Sequence, residues 1–254
     1  MTPSLDHLRV VLVEPKNPGN IGAVCRAMKN FHASDLALVN PCDHLADEAK
    51  MFAVRGKDIL ERATVVTSLR DALRDVHFSI GTTTRVRDTH FPTFLPKDVA
   101  ERISRIDRAS RIAIVFGRED NGLTTDELHQ CDIVSTILAD ENYASLNIAQ
   151  AAMIYLYEAY QMQVSGNPTF EWRLAKREEL DMLYNRIRHL LETIEFPART
   201  TLDDYIVGLK RLLGRTPIED RDVRILHKMF QEIDFFMEKQ KDKKKKFLNP
   251  PDGC

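Results

Sequence analysis

Three short polar segments in this chain carry side chains able to bind or activate a substrate. The first, Glu14-Pro15-Lys16-Asn17-Pro18-Gly19-Asn20-Ile21-Gly22-Ala23-Val24-Cys25-Arg26-Ala27-Met28, directly follows an apolar run. Glycines where a strand turns into a helix let backbone approach a ligand, and a helix N-terminus favours anions. Gly22 and Arg26 stand four apart, so on a helix Arg26 rises above that turn. A guanidinium there either clamps a phosphate through two parallel hydrogen bonds or is one more surface charge on an amphipathic helix. The segment is neither a G-x-G-x-x-G fingerprint nor a Walker loop, which argues against a nucleotide held by its phosphates.

The second segment, Phe116-Gly117-Arg118-Glu119-Asp120-Asn121-Gly122-Leu123, also leaves the end of an apolar run, where open α/β sheets bind ligands. Glu119 and Asp120 are acid or base candidates, or else solvated loop charges. Thr124 or Thr125 suits the N-cap of the next helix, with Glu127 or Leu128 at its third position. The third segment, Asn142-Tyr143-Ala144-Ser145-Leu146-Asn147-Ile148-Ala149, opens an apolar helix. Ser145 fits the N-cap, and Asn147 stands in the first turn, able to bond a loop or a ligand. Gly81-Thr82-Thr83-Thr84-Arg85 has the same polar-turn character, so four turns point to one shared crevice. The eight histidines form no H-x-x-x-H pair or triad order, which leaves metal hydrolysis and Ser-His chemistry without support. His77 and His129 read as structural, and Trp172 as packing near a linker.

A parallel sheet is the element that brings such turns together. Apolar runs at 9–13, 36–39, 64–66, 78–80, 112–116 and 133–137 suit strands buried on both faces. Candidate helices alternate with them at about 20–31, 45–53, 68–75, 96–106 and 124–130, the pattern of an α/β fold with helices on both faces. A helix from about Ser145 to Met162 is apolar on most of its surface, which suits a core or a subunit interface. After a linker at 165–175, marked by Ser165-Gly166-Asn167-Pro168, helical periodicity alone continues through 176–240. Leu180 to Ile194, Leu202 to Leu212 and Val223 to Met237 give three helices, the second ending at Gly214 and Pro217. From Lys241 to Cys254 the run Lys243-Lys244-Lys245-Lys246 and then Pro250-Pro251 predict a solvated, disordered basic tail.

Composition excludes more than it assigns. The net charge of −2 shows no basic excess, so any nucleic-acid contact needs Lys and Arg gathered on one face. Cys25, Cys42, Cys131 and Cys254 have no metal-ligand spacing and read as reduced thiols. No run approaches membrane-spanning length, and the first residues lack signal-peptide character, so a cytoplasmic protein is expected.

In order and spacing, Glu14-Pro15…Asn20-Ile21-Gly22…Arg26-Ala27, Phe116-Gly117-Arg118-Glu119…Gly122-Leu123 and Ser145-Leu146-Asn147 resemble the motif set of the SPOUT superfamily, in its TrmH-like RNA 2′-O-methyltransferase branch. The resemblance covers about residues 8–164. Val207 to Arg215 and Ile225 to Met229 resemble the C-terminal extension of the TrmJ-type subfamily. The resemblance implies a methyltransferase domain over 1–164, a parallel sheet whose C-terminal part threads a trefoil knot, and a small all-helical C-terminal domain. It implies a homodimer, and S-adenosylmethionine (SAM) held by Thr82, Thr83, Thr84, Gly117, Ile137, Ala144, Ser145 and Leu146. It makes Arg26 the catalytic arginine, supported by Asn20, Glu119, Ser145 and Asn147, with no metal. The implied substrate is tRNA, at cytidine or uridine 32 of the anticodon loop. Another tRNA or rRNA ribose, or a catalytically silent RNA-binding dimer, is the alternative.

Overall fold

Six of the expected strands form, and a seventh joins them. The computed structural model describes residues 4–84, 93–140, 144–165, 173–197, 200–214 and 218–248. The chain runs through β1 (Leu8–Val13), α1 (Pro18–Asn30), β2 (Asp35–Val39), α2 (Asp47–Ala53) and a 3-10 turn (Val54–Gly56). It continues through α3 (Lys57–Glu61), β3 (Thr64–Val66), α4 (Leu69–Ala72), β4 (Phe78–Thr82), β5 (Thr93–Phe94) and α5 (Pro96–Ser104). β6 (Ile112–Phe116), α6 (Thr125–His129), β7 (Ile133–Ser135) and α7 (Ile148–Ser165) complete this part. Every strand pairs in parallel, in the order β3-β2-β1-β6-β4-β7-β5.

Side chains alternate along each central strand, and both faces are covered. Val10 and Leu12 join one cluster with Ile21, Val24 and Met28 of α1 and with Tyr155, Leu156 and Ala159 of α7. Val11 and Val13 join the other with Leu69, Ala72 and Leu73 around α4. β3 departs from the expected double burial: it is an edge strand, and Thr64 and Val65 are exposed. β5 has no apolar run to announce it, being two residues paired to β7. α7 buries one stripe, Ile148, Ala152, Tyr155, Leu156 and Ala159, while Met153 and Tyr157 face outward. No described helix is long and apolar enough to cross a membrane.

α8 (Arg177–Thr193), α9 (Leu202–Leu213) and α10 (Asp220–Leu248) follow, with a cluster of their own around Leu180, Leu183, Tyr184, Ile206 and Val223. α9 ends at Leu213 as Gly214 predicts, while Gly166–Trp172 and Pro217 lie outside the described residues. α10 runs through the lysine tract to Leu248, past the point where the sequence predicts disorder; Lys and Gln are good helix formers. The remainder of the tail lies outside the described residues. Leu174 and Ala175, counted in the linker by the sequence, are buried.

Arg177 fastens these helices to the sheet. It is buried, and its Nη1 donates to Asp132 Oδ1 at 2.8 Å and to Ser79 Oγ at 3.4 Å, while Nη2 donates to the Gln130 carbonyl. Asp132 also accepts from the Ser79 N–H and hydroxyl at 2.8 and 2.6 Å. A Cβ at Gly214 would stand 2.2 Å from the Asp132 carbonyl oxygen, so only glycine lets the end of α9 dock there. Ser79 and Asp132 lie toward the amino ends of β4 and β7, so this anchor lies away from the carboxyl ends of those two strands. Arg177→Ala leaves the Asp132 carboxylate buried without its cation. It should destabilise the protein by about 3–5 kcal/mol, read by urea unfolding, with early proteolytic release of α8–α10; a loss below about 1 kcal/mol would remove Arg177 as the anchor.

Candidate active site at the carboxyl edge of the sheet

The loops that leave β1 and β6 are held to each other by two neighbouring side chains of opposite sign. Arg118 donates from Nε to Glu14 Oε2 at 2.8 Å and from both terminal nitrogens to Glu127 at 3.0 Å. Glu14 sits at φ 46°, a left-handed turn that is unfavourable for a non-glycine residue and that directs the chain from β1 into the loop. The Glu14 and Glu127 hydrogen bonds hold Arg118 charged, and Arg118 lowers the Glu14 carboxyl. For Glu127, partial burial opposes the charge, but Arg118 and the Thr124 N–H overcome it and the carboxyl falls below its ordinary value. Thr124 and Glu127 form the capping box that starts α6.

Glu119, one residue on, faces the other way. Its carboxylate accepts from the Lys16 N–H at 3.1 Å, the Asn17 N–H at 3.3 Å and Asn20 Nδ2 at 3.1 Å. Partial burial again opposes the charge, and these three donors outweigh it, so the Glu119 pKa is lowered. The start of α1 therefore carries an anion, but it is the protein's own carboxylate. Asn17 caps the helix by accepting from the Asn20 N–H at 3.1 Å. Asn20 Oδ1 accepts from Asn147 Nδ2 at 2.8 Å, so a chain Asn147–Asn20–Glu119 joins three segments far apart in sequence.

Asn147, and not Ser145, starts the apolar helix. Its Oδ1 accepts from the Ala149 N–H at 2.8 Å and its own N–H donates to Gln150 Oε1 at 3.3 Å, an N-cap that places Ile148 first in α7. Ser145 is left exposed in the preceding loop. Gly22 also differs from its expected role: a Cβ there would lie 2.1 Å from the Ala49 carbonyl oxygen, so the residue serves the close crossing of α1 on α2 rather than a ligand. In the β6 loop, a Cβ at Gly117 would meet Gly122 at 2.1 Å, and Gly122 takes φ 68° to close the turn.

A cavity of about 450 Å³ opens among these loops. Thr82, Thr83, Thr84, Gly117, Ile137, Ala144, Ser145 and Leu146 all line it, together with Glu119, Leu123 and Tyr155. Asn20 and Asn147 border it through Glu119. Arg26 does not: it is exposed on α1, away from the lining, and makes no hydrogen bond or ion pair among the described residues. Asn142, Tyr143 and Arg85 lie outside the described residues. A larger groove of about 1090 Å³ lies between the α4 side of the sheet and α8–α9, with Glu14 and Glu127 in its wall.

Sequence reasoning leaves Glu14, Arg118 and Asn17 without roles, and Tyr155 as one more apolar position. The charges of Glu14 and Arg118 were visible, but a pair separated by 104 positions needs the sheet order to become a contact. His77 is structural as expected: its Nδ1 accepts from the Arg111 N–H at 3.0 Å.

A parallel sheet whose strand-end loops enclose a mixed polar and apolar cavity at the carboxyl edge is the layout of an α/β ligand-binding enzyme domain. The chain belongs to the SpoU rRNA Methylase family, whose model matches residues 7–157. It is 34% identical over 241 residues to the tRNA (cytidine/uridine/adenosine-2′-O-)-methyltransferase TrmJ of Pseudomonas aeruginosa, covering 90% of this chain and 94% of that protein. It is 33% identical over 236 residues to the tRNA (cytidine/uridine-2′-O-)-methyltransferase TrmJ of Pectobacterium atrosepticum, covering 90% and 97%. The crystal structure of TrmJ from Z. mobilis ZM4 superposes with a TM-score of 0.73 at 27% identity, covering 89% of this chain and 98% of that one.

Glu14, Glu119 and Glu127 all have folded pKa values below the 4.5 of a free glutamate. Their stabilisation is complete above that value and is lost as pH falls through the lower folded values. Arg118→Gln removes the cause for two of them. It should lower stability at neutral pH and flatten the acid-side fall in an unfolding series from about pH 6 to about pH 2; acid profiles that differ only by a constant offset would contradict the clamp.

Proposed function

We propose that this chain transfers the methyl group of SAM to a ribose 2′-hydroxyl of tRNA, acting as a cytoplasmic homodimer. The observation that carries the reading is the convergence of three of the four motif loops, at 82–84, 117–123 and 144–146, on one cavity, bordered by the Asn147–Asn20–Glu119 chain. Its volume lies within the roughly 300–1,000 Å³ of small-molecule sites. Threonine hydroxyls and glycine-loop backbone offer hydrogen bonds, while Ile137, Leu146 and Leu123 offer apolar surface, a donor set that fits a nucleoside carrying an amino-acid tail. When bound, SAM supplies an electrophilic methyl on a sulfonium. Glu119 stays a carboxylate, tied up by three donors, and so orients Asn20 and the α1 loop instead of taking a proton. A guanidinium remains charged near neutrality, so Arg26 acts by orienting a phosphate and stabilising charge that develops on the ribose oxygen. Ser145 and Asn147 support that approach from the opposite loop.

The order of the strands supports the knot. β7 lies between β4 and β5, with the Thr83 N–H donating to the Ser135 carbonyl and the Thr136 N–H to the Phe94 carbonyl, both at 3.0 Å. The chain leaving β7 thus passes between the two ends of the segment that joins β4 to β5. Residues 1–164 form the methyltransferase domain in this reading and 176–240 the extension that presents RNA, consistent with their separate apolar cluster. The outward Met153 and Tyr157 on α7 suit a subunit contact that brings a second chain's Arg26 to the cavity.

The target is cytidine or uridine 32, on the likeness of the extension to the relatives' own; the family model's rRNA designation favours an rRNA ribose as the second reading. Radiolabelled methyl transfer to total tRNA and to rRNA, followed by nucleoside mapping, should place the label at nucleotide 32; label confined to any other ribose overturns that position. Arg26→Ala should keep SAM affinity within about twofold and lower methyl transfer by roughly two orders of magnitude or more. Full activity in this variant would reassign the residue.

A further inference from the structure

Tyr155 is almost wholly buried, at 2% exposure, yet its ring forms part of the cavity wall. Its hydroxyl donates to Ser135 Oγ at 2.8 Å, and Ser135 Oγ donates in turn to the Phe94 carbonyl at 2.7 Å. The hydrogen bonds run one way: Tyr155 donates, and Ser135 Oγ both accepts from it and donates onward. Around them, the Ser135 carbonyl accepts from the Thr83 N–H, and Phe94 accepts a second bond from the Thr136 N–H. The Tyr155 ring meets Phe116 edge to face, with centroids 5.7 Å apart, immediately before Gly117. One side chain of α7 thereby touches the roots of the loops that carry Thr83, Ile137 and Gly117. Apolar packing at this place needs no hydroxyls: a phenylalanine facing an alanine would fill it without polar atoms to satisfy. Burial pushes the Tyr155 phenol up to about 12, so it remains a donor at neutral pH.

We infer that Tyr155 is a positioning residue for the cofactor, a latch that acts through Ser135 and Phe94 to hold the end of β7 between the two ends of the β4–β5 segment. This rests on the cavity's assignment to SAM. With the latch formed, Thr83, Ile137 and Gly117 stand in register before a ligand enters. Without it, binding must also order the loops, which weakens affinity while leaving the reacting groups unchanged. The effect should fall on SAM alone, because no described contact of Tyr155 reaches Arg26, Asn20 or Asn147.

Tyr155→Phe keeps the ring and deletes the donor; Ser135→Ala deletes the relay. Calorimetric titration of the full-length protein with SAM, and steady-state kinetics with tRNA, should show Kd and KM for SAM rising roughly fivefold in either variant. kcat at saturating SAM and KM for tRNA should be unchanged, and the double variant should be no weaker than the weaker single variant, as one relay requires. A melting temperature that falls while SAM affinity holds would make the pair merely structural and overturn the inference, as would unchanged SAM affinity in both single variants. Wild-type protein that binds no SAM would overturn the cofactor assignment and the latch together, whereas tight wild-type binding matched by both variants overturns the latch alone.

Discussion

Arg118 and Glu119 are consecutive, opposite in charge and aimed in opposite directions, and the architecture of the carboxyl edge follows from that. Arg118 draws Glu14 and Glu127 together, closing the β1 and β6 loops on the α6 side. Glu119 takes the N–H groups of Lys16 and Asn17 and the amide of Asn20, closing the same loops on the α1 side. The turn that presents both is only possible because Gly117 has no Cβ to strike Gly122 and because Gly122 accepts a left-handed φ. A longer or bulkier loop would leave β1 and β6 adjacent in the sheet but with their ends free, and the cavity would lose a wall.

This arrangement changes the meaning of the helix N-terminus after β1. Free N–H groups and a positive dipole end make such a place attractive to phosphates. Here Asn17 takes the Asn20 N–H and the Glu119 carboxylate takes the cap's own N–H, both from within the chain. A carboxylate already seated there disfavours a ligand held by phosphate at that point, in keeping with the absence of a Walker or dinucleotide fingerprint. Affinity has to come from the other strand ends, where Thr82–Thr84, Gly117, Ile137 and the Ala144–Leu146 loop converge. The extension is fastened by Arg177 toward the amino ends of β4 and β7, so its docking leaves this cavity open.

The sheet was legible because strands buried on both faces leave continuous apolar runs, and 8–13, 35–39, 78–82 and 112–116 are of that kind. β5 was not, since two residues carry no period. Strand order was not either, since Leu8↔Ile112 and Phe78↔Ile112 pairings depend on a topology that no local pattern encodes. Among site residues, the ligand-type loops followed from their positions at strand ends and the individual lining residues from the family resemblance, whereas the side-chain partners followed from neither. Ser145 and Asn147 are both good N-cap residues two positions apart; only Gln150 at the third helical position, reaching back to the Asn147 N–H, decides between them. Gly22 looked like a ligand glycine because helix crossings and ligand approach impose the same absence of Cβ.

Arg26 is where a single chain falls short of the proposed chemistry. A guanidinium that stabilises charge on a ribose oxygen has to lie within hydrogen-bond reach of it, and the methyl donor has to lie in the cavity. Asn20 and Arg26 are six residues apart on α1, about 9 Å of rise and well around the helix, so the face that bonds Glu119 and Asn147 is not the face that bears the arginine. Moving Arg26 to the cavity within one chain would require α1 to rotate, which the Gly22 crossing on α2 and the Asn17 cap both oppose. Supply from a second copy needs no such rearrangement, only a contact that places one chain's α1 beside the other's cavity. On the proposed reading, the exposed Met153 and Tyr157 and the lack of any described partner for Arg26 answer to one requirement, that a second copy bring its α1 beside this cavity.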